Sequence, residues 1–323
     1  MKAITYYKYG GPEVLQVEEL PKPIPKDDEI LIKTHATTVT SGDWRVRSLS
    51  MPPGLRLIAR LMFGITQPRQ PILGSELAGE VVEIGKSVEK FKVGERVVVF
   101  TGAHLGCSVE FKCIHEDGNI VLVPEPMTYS EAVALPFGGT TALDFFRKGE
   151  LEKGDDVLVN GASGCVGSIA VQLARYCGAR VTGVCSRTNV ELVKSLGAHE
   201  VIDYQQTDFT ESDQKYDIIM DTAATASFNR CKSSLEDNGR LLVVNGGLFD
   251  LLRGPVVALT SNKKLIAGPA AEKLDDLMEL FRLAGSGEIR PVIDQVFPLG
   301  SIVEAHRRVD SGRKRGSVVV EWV

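Results

Sequence analysis

"VLVNGASGCVGSIAVQLA" (residues 157–174) decides how this chain is read. A branched apolar run enters a turn with glycine at 161, 164 and 167, and an apolar pattern of helical period follows. A second strand-like run, "RVTGVCS" (residues 180–186), completes a βαβ unit of about 30 residues. In that setting the glycines have physical work. Gly161 opens the turn, Gly164 lets the backbone approach a pyrophosphate, and Gly167 lets the helix pack closely on the strand. The first N–H groups of the helix, from Cys165 and Val166, lack intrahelical partners and face an anion with the positive end of the helix dipole. Ser163 adds a hydroxyl donor. The turn is read as a dinucleotide site.

Which dinucleotide depends on the end of the second strand. An acid there would hold a ribose 2′-OH and mark NADH. Here Cys185 and Ser186 occupy the slot and Arg187 follows at once. A guanidinium can grip a 2′-phosphate in a bidentate fork, so NADPH is expected over NADH. Tyr204, ending "EVIDY", is placed near the adenosine end.

The rest of the composition sets limits. With 323 residues, 43% of them hydrophobic, the chain has material for a large core and by length favours two domains. Net charge is −5, and "GRKRG" (residues 312–316) is too short a basic run to suggest a nucleic-acid footprint. The opening "MKAITYYKYGG" has strand-like alternation and no apolar core of a signal peptide. No run of 18 apolar residues occurs, so no membrane span is expected. Six cysteines form no CxxC pair and no zinc-site spacing, which fits a reduced, cytoplasmic protein.

Short β patterns fill the first third, among them "EILIKTHATTV" (29–39), "LAGEVVEIG" (77–85) and "GERVVVF" (94–100), and they suggest a barrel-like domain. One interruption, "PPGLRLIARLMFGITQPRQP" (52–71), carries Leu55, Ile58, Leu61 and Met62 at helical spacing. It reads as a helix packed on the barrel or as an apolar lid on a cleft. From about Val157, strand-like and helical runs alternate, the rhythm of a doubly wound parallel sheet. The last ~50 residues break this rhythm with a helix around 271–283. The terminal "SVVVEWV" could return to the first domain as a strand.

Taken together, "YGGPEVLQVEELPKP" (9–23), "TTVTSGDWRVR" (37–47), "PILGSELAGEVVEIGKSVEKFKVGERV" (71–97), "ALPFGGTTAL" (134–143), "VNGASGCVG" (159–167) and "SLGAHEVIDY" (195–204) resemble the medium-chain dehydrogenase/reductase superfamily, in its zinc-free quinone oxidoreductase branch. The resemblance implies an α/β fold: a chaperonin-10-like β-barrel from residues 1–124 and 270–323, and a Rossmann domain from 125–269. The superfamily's catalytic zinc ligands fall on Thr40, Ser75 and the apolar stretch 133–135, so no zinc is expected. The five histidines are scattered. Without a Lewis acid, hydride from NADPH suits an acceptor that is already electrophilic, a quinone or an α,β-unsaturated carbonyl.

By match to the family's cleft stretch, Thr40, Asp43, Trp44 and Arg45 are placed at the acceptor. Thr40 stands where the family has Asn, and Arg45 where an aromatic hydroxyl often follows; Arg45 is left to bind cofactor phosphate or a substrate carbonyl. Asp43 reads equally well as a helix cap. Thr140 in "FGGTTAL", and Asn245 and Gly246 in "VVNGG" (243–247), are placed near the nicotinamide. A homodimer is expected, with "KKLIAG" (263–268) as an edge strand. Two other readings stay open, a non-catalytic NADPH-binding sensor or structural protein and a zinc-free alcohol dehydrogenase. Cys165 is either a small residue that the turn tolerates or, with a thiol pKa lowered by the helix start, a redox-sensitive gate.

Overall fold

The computed structural model describes residues 1–322. Its first sheet is organised on the strand Glu29–Val39. Glu76–Ile84 runs antiparallel along one edge of that strand. The other edge is shared: Phe111–His115 pairs with residues 29–33 and Ser317–Glu321 with residues 36–39. Register shifts near Ile32 and Ala36 mark bulges, and bulges bend a long strand enough to curl a sheet. Inward-facing Ile30, Ile32, Leu77, Val81, Val97 and Val99 fill the interior. Residues 318–320, three valines in a row, are all buried because the strand carries Val318 and Val320 to one core cluster and Val319 to another.

The second sheet holds Asp156–Asn160, Arg180–Cys185, Glu200–Asp203, Tyr216–Asp221, Leu235–Val243 and Lys264–Ala267, all parallel. Counted along the chain, their order across the sheet is 3-2-1-4-5-6. The order reverses between Asp156–Asn160 and Tyr216–Asp221, and ligands of such sheets bind beyond the carboxyl ends at that point. The helices Pro136–Lys148 and Cys165–Tyr176 pack closely against each other. A Cβ on Gly138 would stand 2.6 Å from the Cys165 carbonyl oxygen, so only glycine permits the approach.

Two sequence expectations shift. The helix after the sheet is Leu274–Gly285, a few residues later than its pattern suggests. The helix Arg56–Phe63 forms, but it lays little of itself on the barrel: Ala59 is its one buried residue, and Leu57, Ile58, Leu61 and Met62 are exposed. The segment is anchored at its ends instead. Met51 and Phe63 pack against the barrel cluster, and Gly54, at φ +83°, abuts Leu248. Among the described residues, no helix is long and apolar enough to cross a membrane.

Candidate functional site

A cavity of about 1610 Å³ lies between the two sheets, along the carboxyl ends at the switch point. The glycine turn forms its floor. Gly161 adopts φ +82°, and a Cβ there would strike Thr222 Oγ1 at 2.6 Å. Gly167 lies behind the turn, where a Cβ would meet the Gly161 carbonyl oxygen at 2.2 Å; it packs and does not line the cavity. At Gly164 a Cβ would find only the Gly161 oxygen, at 3.4 Å. What Gly164 spares is therefore space in the cleft rather than space in the protein. Gly164 is also the cap of the helix, with no side chain bonded to the helix start, so its first N–H groups open onto that space. The cradle fits a pyrophosphate.

At the second strand's end, Cys185 is buried and its carbonyl accepts from Tyr204 N (3.1 Å). Ser186, Thr188 and Tyr204 line the cavity; Arg187 between them is exposed, outside the lining, and makes no side-chain bond among the described residues. Asn189, absent from the sequence reading, donates to Ser163 Oγ and Ser186 Oγ at 3.1 Å each, and so joins the turn to the second strand. Asp221 was also missed. Fully buried, with burial pushing its carboxyl up, it accepts from Asn160, Ala223 and Ala226 and holds the loop above the switch point.

The larger omission is the 312–316 loop. Gly316 N donates to the Ser163 carbonyl (2.8 Å), which brings this basic stretch against the glycine turn. Arg308 grips buried Asp294 through two bonds (2.6 and 3.0 Å), and Arg315 Nε lies 3.7 Å from the same carboxylate. Burial alone would raise Asp294; the bonds from Arg308 and the Arg315 charge outweigh it and hold the carboxyl below its usual range. Lys314 has no such partner. Among the described residues its ammonium bonds only the Gly316 carbonyl (2.8 Å), and it lines the cleft.

On the opposite wall, the helix Ser41–Ser48 begins with a reciprocal cap. Thr40 N and Oγ1 donate to Asp43 Oδ2 (2.8 and 2.7 Å), Asp43 N donates back to Thr40 Oγ1 (3.1 Å), and Gly74 N donates to Asp43 Oδ1 (2.9 Å). Asp43 is 2% exposed, and both its oxygens are occupied. Burial raises its pKa against these bonds, and its geometry is that of a cap. Trp44 and Arg45 are half-buried on the cavity wall. Arg45 Nη2 donates to Asn245 Oδ1 (3.3 Å), and Asn245 Nδ2 donates to the Thr222 carbonyl (3.1 Å), a bridge from the barrel to the sheet's carboxyl edge. Thr140 lines the cleft with its hydroxyl turned back to the Pro136 carbonyl (2.7 Å). Gly246 lies behind Asn245, where a Cβ would meet Ala267 at 2.8 Å, outside the lining.

Comparison with known proteins agrees with this geometry. Residues 26–143 match the alcohol dehydrogenase GroES-like domain and residues 196–320 the zinc-binding dehydrogenase family. A chloroplast envelope quinone oxidoreductase homolog of Arabidopsis thaliana is 33% identical over 99% of this chain and 98% of its own length. The chain belongs to the medium-chain dehydrogenase/reductase superfamily, in the quinone oxidoreductase branch. A second Arabidopsis relative, an NADPH-dependent alkenal/one oxidoreductase of the chloroplast, is 27% identical over 99% of this chain and 79% of its own. The Escherichia coli quinone oxidoreductase, solved in complex with NADPH, superposes with a TM-score of 0.79 and 25% identity over the full length of both chains.

The positions onto which the family resemblance places the superfamily's catalytic zinc ligands hold a poor donor set here. Thr40 spends its hydroxyl on Asp43, Ser75 offers a buried hydroxyl without a partner, and residues 133–135 are apolar and buried. Among the described residues no cluster of three His, Cys, Asp or Glu is placed to hold a metal. Beside Ser75, buried Glu76 accepts from Thr38 Oγ1 and from Phe137 N (2.7 Å), and burial pushes its carboxyl up to about 8. Cys165 corrects an expectation. Its thiol is raised, not lowered: burial dominates over the nearby Lys314 charge and the bonds of Ser317 and Gly138, and Sγ packs 3.2 Å from Ser317 Oγ.

Proposed function

We propose that this protein is an NADPH-dependent oxidoreductase that reduces quinones or α,β-unsaturated carbonyls without zinc. The observation that carries the reading is the glycine cradle, open on its ligand side at the switch point and facing a wall whose zinc-ligand positions are hydroxyls and apolar groups. When bound, NADPH supplies a hydride. Ser163, Cys165 and Val166 hold its pyrophosphate, mainly through main-chain N–H groups, while Gly161 and Gly164, whose own N–H groups bond the Val184 and Gly161 carbonyls, shape the turn, and Lys314 adds a positive charge beside them. Ser186, Arg187 and Tyr204 serve the adenosine phosphate end. Thr140 and Asn245 flank the nicotinamide, with Gly167 and Gly246 shaping the backbone behind. Thr40 and Asp43 build the helix that presents Trp44 and Arg45 to the acceptor.

The open cleft beside Trp44 favours an enzyme over a non-catalytic NADPH sensor, because the 51–70 segment does not plug it. We extend the proposal to a barrel of residues 1–124 and 270–323 around a nucleotide unit of 125–269. It also takes in a homodimer through the unpaired outer edge of Lys264–Ala267 and a cytoplasmic setting that suits six free thiols. The deciding experiment is a panel of quinones, enones and alcohols offered with NADPH and NADH side by side, read at the nicotinamide absorbance. Faster NADPH oxidation with quinones or enones is expected. Acceptor-independent binding alone, or alcohol-driven NADP⁺ reduction, would refute it.

A further inference from the structure

We propose that Arg45 is the oxyanion-stabilising residue of the reaction, donating guanidinium N–H bonds to the carbonyl oxygen of a conjugated acceptor. The inference rests on the reductase reading above and adds what that reading lacks, a group that takes up the charge created by hydride arrival.

Three observations place it there. First, Arg45 is attached to Asn245, just past the carboxyl end of the strand Leu235–Val243. That strand belongs to the second half of the sheet, where the nicotinamide half of a dinucleotide lies, whereas the glycine turn opens the first half. The guanidinium thus sits toward the hydride end of the cleft and away from the pyrophosphate cradle. Second, its donors are underused. Nη1 bonds the Ser50 carbonyl (3.2 Å) and Nη2 bonds Asn245 Oδ1 (3.3 Å), while Nε is buried with no partner. Of five N–H donors, three are left over. Third, no carboxylate lies within ion-pair distance among the described residues, and burial pushes its guanidinium pKa down. A half-buried, unpaired cation in a cleft is an unusual arrangement, and an incoming anion relieves it.

The chemistry balances. As the β-carbon of the acceptor gains the hydride, the electron pair of the C=C bond moves toward the carbonyl and leaves an enolate or quinol oxygen with negative charge. Arg45 donates to that oxygen. Because a guanidinium does not release its proton at neutral pH, the proton that completes the product comes from water. Hydride plus proton equals the two electrons and two hydrogens gained by the acceptor. Asn245 fixes one side of the guanidinium, and Trp44, with its ring centroid 5.3 Å from the Arg45 Cζ, flanks the other.

The test uses Arg45→Met and Arg45→Lys in the full chain, with thermal melts to confirm folding and NADPH affinity followed by its fluorescence. Loss of one oxyanion donor typically lowers kcat by roughly 10²-fold. We expect that fall in Arg45→Met with enones, a smaller one in Arg45→Lys, and NADPH affinity within about twofold of wild type. A readout apart from turnover uses a nitrophenol as a product mimic, with its affinity measured above and below its own pKa. Wild type should favour the phenolate, and Arg45→Met should lose that preference. Unchanged kcat, an unchanged phenolate preference, or a fall in NADPH affinity that accounts for the lost rate would each overturn the role. If Arg45→Met fails to fold, Arg45→Gln, which keeps a polar side chain and loses the charge, decides by the same phenolate measurement. Wild type that binds NADPH and reduces no acceptor would overturn the reductase reading itself, a result visible before any variant is made.

Discussion

Glu76→Gln tests the electrostatics of the cleft wall directly. Glu76 is 1% exposed, accepts from Thr38 and Phe137, and has its carboxyl raised from 4.5 to about 8. Burial is the main cause; the Asp43 charge adds to it, and Lys314 opposes it. A raised pKa means that the folded state holds a proton which the unfolded chain releases. Stability from this group is therefore present below pH 4.5 and is lost as pH rises toward 8. With one proton worth about 1.4 kcal/mol per pH unit, the loss between pH 5 and pH 8 is about 3 kcal/mol. Glutamine imitates the protonated acid, since it can donate to Thr38 and accept from Phe137. Urea unfolding of both proteins at pH 5, 6, 7 and 8 should give near-equal stabilities at pH 5. At pH 8 the variant should lead by about 3 kcal/mol. His306, pushed down to about 3 by burial, has the opposite slope, with stability lost as pH falls below its ordinary 6.5. Both proteins carry it, so it cancels in the difference. A constant gap across the series would refute a neutral Glu76.

Further expectations concern the turn and the frame. Gly164→Ala should leave the melting temperature nearly unchanged, because its Cβ meets only one atom at 3.4 Å, and should weaken NADPH by about tenfold or more in a fluorescence titration. Gly167→Ala should do the reverse first, costing about 1–3 kcal/mol in urea unfolding as its Cβ is driven into the Gly161 carbonyl. Lys314→Met should weaken NADPH and NADH equally, by about tenfold at low salt, and flatten the salt dependence of binding; a loss confined to NADPH would move Lys314 to the 2′-phosphate. Arg47 is fully buried and bonded to Asp310 through both carboxylate oxygens (2.6 Å). Arg47→Met should cost about 3 kcal/mol by circular-dichroism melts, since it strands Asp310 and opens the seam between the helices Ser41–Ser48 and Ile302–Asp310.

Local patterns carried far. The period-2 runs at 29–39 and 94–100, the glycine spacing at 161, 164 and 167, and the strand–helix alternation after residue 157 each depend on neighbours within a few residues. Backbone conformation answers directly to such neighbours. The helix 56–63 was equally legible as a helix, but not its exposure, which depends on where Pro52, Pro53 and Gly54 send the chain.

The sequence by itself determined the glycine turn and the parallel sheet behind it, because residue type and spacing state these directly, whereas the hydroxyls and apolar groups at the superfamily's zinc-ligand positions are legible only through the family resemblance. Only the tertiary structure decided which distant polar groups meet. Gly316 reaches Ser163, Arg45 reaches Asn245 and Arg47 reaches Asp310 across separations of 153, 200 and 263 residues. The basic run at 312–316, too short to interpret along the chain, becomes a wall of the cleft because the terminal strand Ser317–Glu321 pairs with Glu29–Val39. The Cys165 thiol shows the same division. Its place at a helix start predicts a low pKa, and burial reverses the sign against the lowering bonds of Ser317 and Gly138, since desolvation of a thiolate depends on everything packed around it.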